Sequence, residues 1–172
     1  MNGRRIPIPR GRIWGGSSSI NGMFHIRGHR LDFDDWAAAG CSGWSYAELL
    51  PYFRRSETSW RGDGPFHGGS GPLQVNRIDT RRLLAEPLRA AAARAGHRVN
   101  DAYDGEPHDG IAPGEVASDR RGRRHSSARA YLHPALQRPN LQAHSHAQVQ
   151  RVVVEAGRAV GVEFIRGGQR RR

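Results

Sequence analysis

Apolar and polar positions repeat with two different periods along this chain, and the change of period marks out its elements. In SGWSYAELLPYFRRSE the residues Tyr46, Leu49, Leu50 and Phe53 recur at helical spacing. Ser45 stands as an N-cap and Glu48, three residues on, completes a capping box, so a helix is predicted there with Pro51 inside it or bending it. TRRLLAEPLRAAAARAGHRV predicts the clearest helix, with Leu83, Leu84, Leu88, Ala91 and Ala95 as its apolar face and Gly96 as its C-cap. DFDDWAAAG predicts a turn or two of helix, begun by Asp and ended by Gly40. HSSARAYLHPAL predicts a short helix with serine caps. The period then changes to two. LQAHSHAQVQRVVVEAGRAVGVEFIRG predicts three strands, the last two joined by a hairpin turn at Ala156-Gly157, and GGQRRR reads as a frayed end.

Between these elements the pattern is broken by Gly, Pro and Ser. RRIPIP, residues 4–9, predicts an extended segment. PRGRIWGGSSSINGMFHIRG follows, with three glycines before Ser17 and a short helix predicted to begin at Ser17 or Ser18. RGDGPFHGGSGPLQV reads as a surface loop running into a short strand, Leu73-Gln74-Val75. It lacks the preceding strand and following helix of a phosphate-binding loop. NDAYDGEPHDGIAPGEVASDRRGRR predicts a long polar loop. Loops of that length in a compact domain are functional or are covered by other chain. The pattern as a whole is that of one mixed α+β domain without internal repeats.

Composition changes the picture in few places. The 172 residues suffice for a sizeable core. No apolar run approaches the ~20 residues of a membrane span, and the first residues carry charge and proline rather than an apolar leader. Cys41 is the only cysteine, which excludes an internal disulfide framework and a thiolate zinc cluster and predicts a reducing, cytoplasmic setting, peripheral to a membrane at most. The net charge of +11 invites a nucleic-acid reading. All 27 basic residues are arginine, however, and they are scattered except at 120–124 and 170–172. A solvated Arg-rich surface accounts for that distribution, and no nucleic-acid partner is expected.

The candidate chemistry lies in the Gly/Ser run. Consecutive glycines let backbone N–H groups approach a ligand closely, serine hydroxyls add donors, and a helix start adds its dipole. Asn21 both donates and accepts, which suits the mixed hydrogen-bonding edge of a flavin. Ile13, Trp14, Ile20, Met23 and Phe24 interleave with these residues and want burial, which argues against a flexible linker. The histidines carry less. His144 and His146 share one face if they lie on a strand, and His25 and His29 stand four apart, but neither pair has the further ligands of a metal site. The serines lack the strand and flanking glycines of a hydrolase nucleophile elbow.

GRIWGGSSSINGMFHIRG, followed by DFDDWAAAGCSGWSYAELLPYFRRSE, closely resembles the glucose–methanol–choline (GMC) family of flavin-dependent oxidoreductases, and most of all its choline-dehydrogenase-like branch. The similarity runs on through HGGSGPLQV, NDAYDGEPHDGI and GRRHSSARAYLHPALQRPNLQAHSHAQVQRVVVEAGRAVGVEF, about residues 3 to 165. The resemblance implies FAD as cofactor and oxidation of an alcohol to a carbonyl, with a small alcohol as substrate. It places Gly11, Arg12, Trp14, Gly15, Gly16, Ser17 and Ser18 on the loop that lines the cofactor. Asn21, Gly22, Met23 and Phe24 fall beside the isoalloxazine, and Val149 falls at the adenine end. Where some members carry a histidine bonded to the flavin, this chain has Ile20, which implies non-covalent FAD.

The resemblance also implies what these residues do not supply. The family's glycine-rich first βαβ unit and its C-terminal substrate and catalytic part have no counterpart here, and none of the nine histidines matches the catalytic one. The expected fold is therefore an α+β fragment of an FAD/NAD(P)-binding, Rossmann-like α/β domain, with helices and a C-terminal antiparallel hairpin or meander. It is expected to supply part of an FAD site and to be inactive alone, with no catalytic or metal-binding residue of its own. Two other readings stay open from sequence: a basic nucleic-acid-binding module, and a non-functional remnant with an unpaired sheet edge.

Overall fold

A computed structural model of the chain describes residues 2–80, 84–101, 103–105 and 109–172. Length predicts one domain, but the chain divides into two compact units, Met1–Pro134 and Ala135–Arg172. The division follows the hydrogen bonding: the two three-stranded sheets are separate, one in each unit.

The first unit is built on helices α1 (Arg30–Ala38), α2 (Tyr46–Ser56) and α3 (Ala85–Arg94) and on strands β1 (Glu57–Ser59), β2 (Leu73–Arg77) and β3 (Glu115–Ala117). The predicted α2 forms with its capping box. Ser45 N donates to Glu48 Oε2 at 3.1 Å and Glu48 N to Ser45 Oγ at 3.4 Å, with Pro51 accommodated inside the helix. Helix α1 begins two residues before the predicted stretch, because His29 caps it: His29 Nδ1 accepts from Leu31 N, and His29 N donates to Asp32 Oδ2 at 2.8 Å. Gly40 ends that segment at φ 103°, as expected. Aromatic rings hold α1 against α2, with Phe33 of α1 5.5 Å from Phe53 and 6.2 Å from Tyr46 of α2.

Helix α3 forms, but its apolar face is misread by the pattern. Ala92 is the buried residue, while Leu84 and Leu88 are 82% and 59% exposed. Leu83, placed on that face from sequence, lies outside the described residues. The helix touches its own unit through small alanines, and Leu88 lines a cleft of about 230 Å³ with Phe24, Ile78 and Pro113.

Strands β1 and β3 escape the sequence pattern. Each is three residues long and places a glutamate at a buried position, so neither shows an apolar–polar alternation in sequence. Strand β1 pairs parallel with β2, and β2 antiparallel with β3. The residues Met23–His25 extend this sheet past β3, with His25 N on Glu115 O at 2.9 Å and Ala117 N on Met23 O at 2.8 Å. Val75 at the centre is 1% exposed. The glycine-rich connection between β1 and β2 is no simple surface loop. Gly68 is buried, and a Cβ there would stand 1.8 Å from Arg54 O; at Gly71 it would stand 2.3 Å from Glu57 N. The connection lies against the C-terminal end of α2, where only glycine fits.

Ala128–Leu132 winds as a π-helix and continues into α4 (His133–Ala135). No serine side chain caps it, contrary to the sequence reading, because Ser127 Oγ donates to Gly15 O at 3.1 Å instead.

The second unit is a meander of β4 (Gln148–Glu155), β5 (Arg158–Arg166) and β6 (Gln169–Arg171), all antiparallel. Three strands are correct, but their positions differ from the reading. The stretch before Gln148 forms no strand, and His146 there has φ 55°. Ala156-Gly157 turns the first two strands rather than the last two. The supposed frayed end is β6, turned back by Gly167 and Gly168 at φ 57° and 76°. Paired left-handed residues are what a two-residue hairpin requires.

One buried carboxylate ties the first unit together. Glu57 is 1% exposed and meets His25 Nε2 at 2.9 Å, Arg27 Nη2 at 3.1 Å, His67 Nδ1 at 3.2 Å and Gly68 N at 3.2 Å. Burial alone raises its pKa, but His25, His67, Arg27 and Gly68 together outweigh burial and hold it well below 4.5. A carboxylate whose folded pKa is depressed stabilises the fold fully above its unfolded pKa and loses that contribution as pH falls toward the folded value. Glu57→Gln is expected to destabilise the protein by about 3 kcal/mol near neutral pH, since it removes the charge that faces the buried Arg27 guanidinium. Urea melts of both proteins at neutral pH and below pH 4.5 check this: the difference shrinks on the acid side only.

Candidate functional site

The Gly/Ser loop is shaped by contacts within itself. Gly16–Ser19 forms one 3₁₀ turn, preceded by Gly15 in the left-handed region at φ 89°. A serine N-cap and a helix dipole were expected; a single turn of four residues supplies neither. Gly11 passes so close to this turn that a Cβ would stand 2.1 Å from Gly16 O. At Gly15 a Cβ would stand 2.5 Å from Ser19 Oγ. These glycines therefore serve close packing of the loop on itself.

The three serines are all engaged within the chain, Ser18 and Ser19 as donors and Ser17 as an acceptor. Ser17 Oγ accepts from Gly11 N at 3.3 Å. Ser18 Oγ donates to Gly15 O at 2.5 Å and accepts from Ser127 N at 2.9 Å. Ser19 Oγ donates to Trp14 O at 2.8 Å. Asn21 is different. Its Oδ1 accepts from Met23 N at 3.0 Å and from Arg124 Nη1 at 2.7 Å, while among the described residues its Nδ2 has no partner. Met23 takes φ 64° to close this turn.

Apolar residues of the same loop are exposed. Ile13 is 64% exposed, Trp14 43%, Ile20 51% and Phe24 70%. The burial these residues were expected to find is not supplied by the described residues of the first unit. Arg12 and Gly22 are exposed as well. Of the residues singled out from sequence, Gly11 to Phe24 are thus gathered in one loop. Val149 lies on β4 of the second unit, opposite Phe164 in the strand register.

Two functional partners are missed by sequence reasoning. Arg124 and Ser127 grip the loop from more than 100 residues away. Arg124 Nη2 donates to Asn21 O at 2.7 Å and its Nη1 also reaches Ser18 O at 3.0 Å. Its place is set by a tight turn, in which Asp119 Oδ1 accepts from both Arg121 N and Arg123 N at 2.9 Å. Burial raises the Asp119 pKa, but these backbone donors and the Arg123 guanidinium hold it below its usual value. His125 is pushed down by burial and by Arg129, against the pull of Asp119. In sequence this segment is only a run of arginines, and no spacing rule links it to Asn21.

The histidine pairs separate. His25 is engaged with Glu57 and His29 caps α1, while His144 pairs with Arg166 at 3.2 Å. Among the described residues no group of three or more His, Cys, Asp or Glu is placed to hold a metal ion, and no helix is long and apolar enough to cross a membrane.

Comparison with known proteins gives this loop a context. The model of the family described as GMC oxidoreductase matches residues 1–172. The chain is 46% identical over 169 residues to an oxygen-dependent choline dehydrogenase of Sinorhizobium fredii, covering 98% of this chain and 30% of that protein. It is 44% identical over 170 residues to the mitochondrial choline dehydrogenase of Mus musculus, covering 99% of this chain and 28% of that one. It thus spans less than a third of the length of the curated relatives it matches. Among solved structures, an FAD-dependent oxidoreductase from Chaetomium thermophilum superposes with a TM-score of 0.88 at 27% identity, covering 99% of this chain and 32% of that one. Pyridoxine 4-oxidase from Mesorbium loti superposes with a TM-score of 0.84 at 32% identity, covering 94% and 32%. The α+β architecture is accordingly that of a portion of an FAD-binding oxidoreductase domain.

The loop geometry predicts a contrast between two glycines. Gly11→Ala drives a Cβ into the backbone of Gly16, whereas at Gly22 a Cβ would meet only the Phe24 ring, at 3.4 Å. Gly11→Ala is expected to cost about 1–3 kcal/mol, as overpacking does, and to speed tryptic cleavage at Arg12. Gly22→Ala is expected to leave both near wild type. Limited proteolysis with thermal melts checks the pair.

Proposed function

Because the chain belongs to the GMC oxidoreductase family, we propose that it forms part of the FAD site of an enzyme that oxidises an alcohol CH–OH group to a carbonyl, in the manner of a choline dehydrogenase. The observation that carries this reading is the Asn21 amide, a fixed donor in a loop that also exposes Ile13, Trp14, Ile20 and Phe24. A flavin ring is a flat apolar body with a polar edge, and this loop matches that chemistry. Bound FAD would accept the hydride that leaves the alcohol carbon.

Each loop residue then has a part. Gly11, Gly15, Gly16, Ser17 and Ser18 hold the backbone shape, so the cradle is set before the cofactor arrives. Asn21, Gly22 and Met23 form the turn beside the ring, with Asn21 Nδ2 as donor. Arg12, Trp14 and Phe24 are cofactor contacts, and Val149 offers its backbone to the adenine end. Ile20 cannot form a bond to the flavin, so FAD is held without a covalent link. No histidine of the chain is assigned to the alcohol proton; His25 and His67 are spent on Glu57.

The reading is tested on purified protein incubated with FAD. Bound flavin is expected, with all of it released to the supernatant on acid precipitation. The alcohol reading is tested by anaerobic addition of choline: bleaching of the flavin band is expected when these residues are joined to the remainder of a choline-dehydrogenase-like enzyme, and none from these residues alone, which carry no group assigned to the alcohol proton. Absence of flavin uptake would overturn the cofactor assignment, and flavin left in the acid pellet would overturn the non-covalent one.

A further inference from the structure

We infer that Arg124 is a positioning residue for the FAD site: it fixes the Asn21 side-chain amide so that Nδ2 presents its hydrogens to the cofactor. This rests on the FAD reading above and adds a residue to it.

An asparagine amide can turn by half a revolution and exchange its oxygen for its nitrogen. Here the turn is blocked by chemistry. Oδ1 receives two donors, Met23 N at 3.0 Å and Arg124 Nη1 at 2.7 Å, and neither can accept. Flipped, Nδ2 would face two donors with no acceptor. The Met23 contact is local, so it moves with the turn. Arg124 is the external reference, because its fork also spans Asn21 O at 2.7 Å and Ser18 O at 3.0 Å. The guanidinium therefore holds one side-chain oxygen and two backbone oxygens of the loop at once. These are charge-assisted bonds in a planar fork, which lysine cannot reproduce. Arg124 forms no ion pair with an acid among the described residues, whereas Arg123 and Arg129 share Asp119. Its charge is thus directed at the loop oxygens alone, and it polarises the amide whose Nδ2–H₂ remains open.

The test measures FAD dissociation constants and the visible flavin spectrum for wild type, Arg124→Met, Arg124→Lys, Asn21→Ala and the double variant Arg124→Met/Asn21→Ala. Loss of charge-assisted bonds of this kind is expected to weaken FAD about 10-fold in Arg124→Met. Arg124→Lys is expected to restore little of it. The flavin band shifts in both, and the Arg124→Met effect vanishes in the Asn21→Ala background. Asn21→Asp supplies a second measurement that leaves the Arg124 contact intact: it keeps the acceptor, removes the donor, and is expected to melt like wild type while losing FAD affinity. Wild-type FAD affinity in Arg124→Met, an undiminished Arg124→Met effect without Asn21, or unchanged affinity in Asn21→Asp would each overturn the assignment while leaving FAD binding itself intact. A wild-type protein that takes up no FAD overturns both.

Discussion

The buried charge of Glu57 is the constraint on which the first unit depends. It sits where α2 ends and β1 begins, and its four partners come from two other segments. His25 and Arg27 belong to the chain leaving the Gly/Ser loop; His67 and Gly68 belong to the connection between β1 and β2. Arg27 carries the network further, with its backbone N on Asp104 Oδ1 at 2.8 Å, Nη1 on Phe66 O at 2.7 Å, and its guanidinium over the Phe53 ring. A carboxylate so deeply buried is tolerable only if it is matched by charge and hydrogen bonds on every side. That requirement fixes where each contributing segment must lie.

The consequence reaches the candidate site. With His25 held by Glu57, the residues Met23–His25 are pinned as an extra edge beside β3, and the loop before them is anchored at its exit. Arg124 and Ser127 hold the same loop from the other flank. The loop needs both, because its own hydrogen bonds close only short turns. Glycine at 11 and 15 then lets the strands of loop pass within contact of one another. The result is a backbone set by its surroundings, with its apolar side chains left outward and one amide donor uncommitted.

Much of this was legible in the sequence, and the limits have physical causes. Helix α2 was readable because its capping box and apolar period agree. The left-handed glycine at 40 was readable because the local geometry leaves no alternative. The face of α3 was misread because leucine was presumed to seek the core, while the helix packs through Ala92. Strands β1 and β3 were invisible because three residues are too few for a period, and their buried positions are glutamates held by partners remote in sequence. The Gly/Ser loop stands out by composition, but the hydrogen bonds its serines make within the chain do not: which backbone group a hydroxyl meets is decided by folding.

The sequence by itself determined the family, the capped helix α2, the turn at Ala156-Gly157 and the location of the candidate loop, since each depends on residues close together or on a motif in fixed order. Only the tertiary structure decided that His25 and His67 meet Glu57, that Arg124 and Ser127 belong to the loop, and that the chain forms two units. Those outcomes depend on charges and hydrogen bonds between segments up to 112 residues apart. No local pattern encodes such pairings, because their energies are realised only when the segments meet.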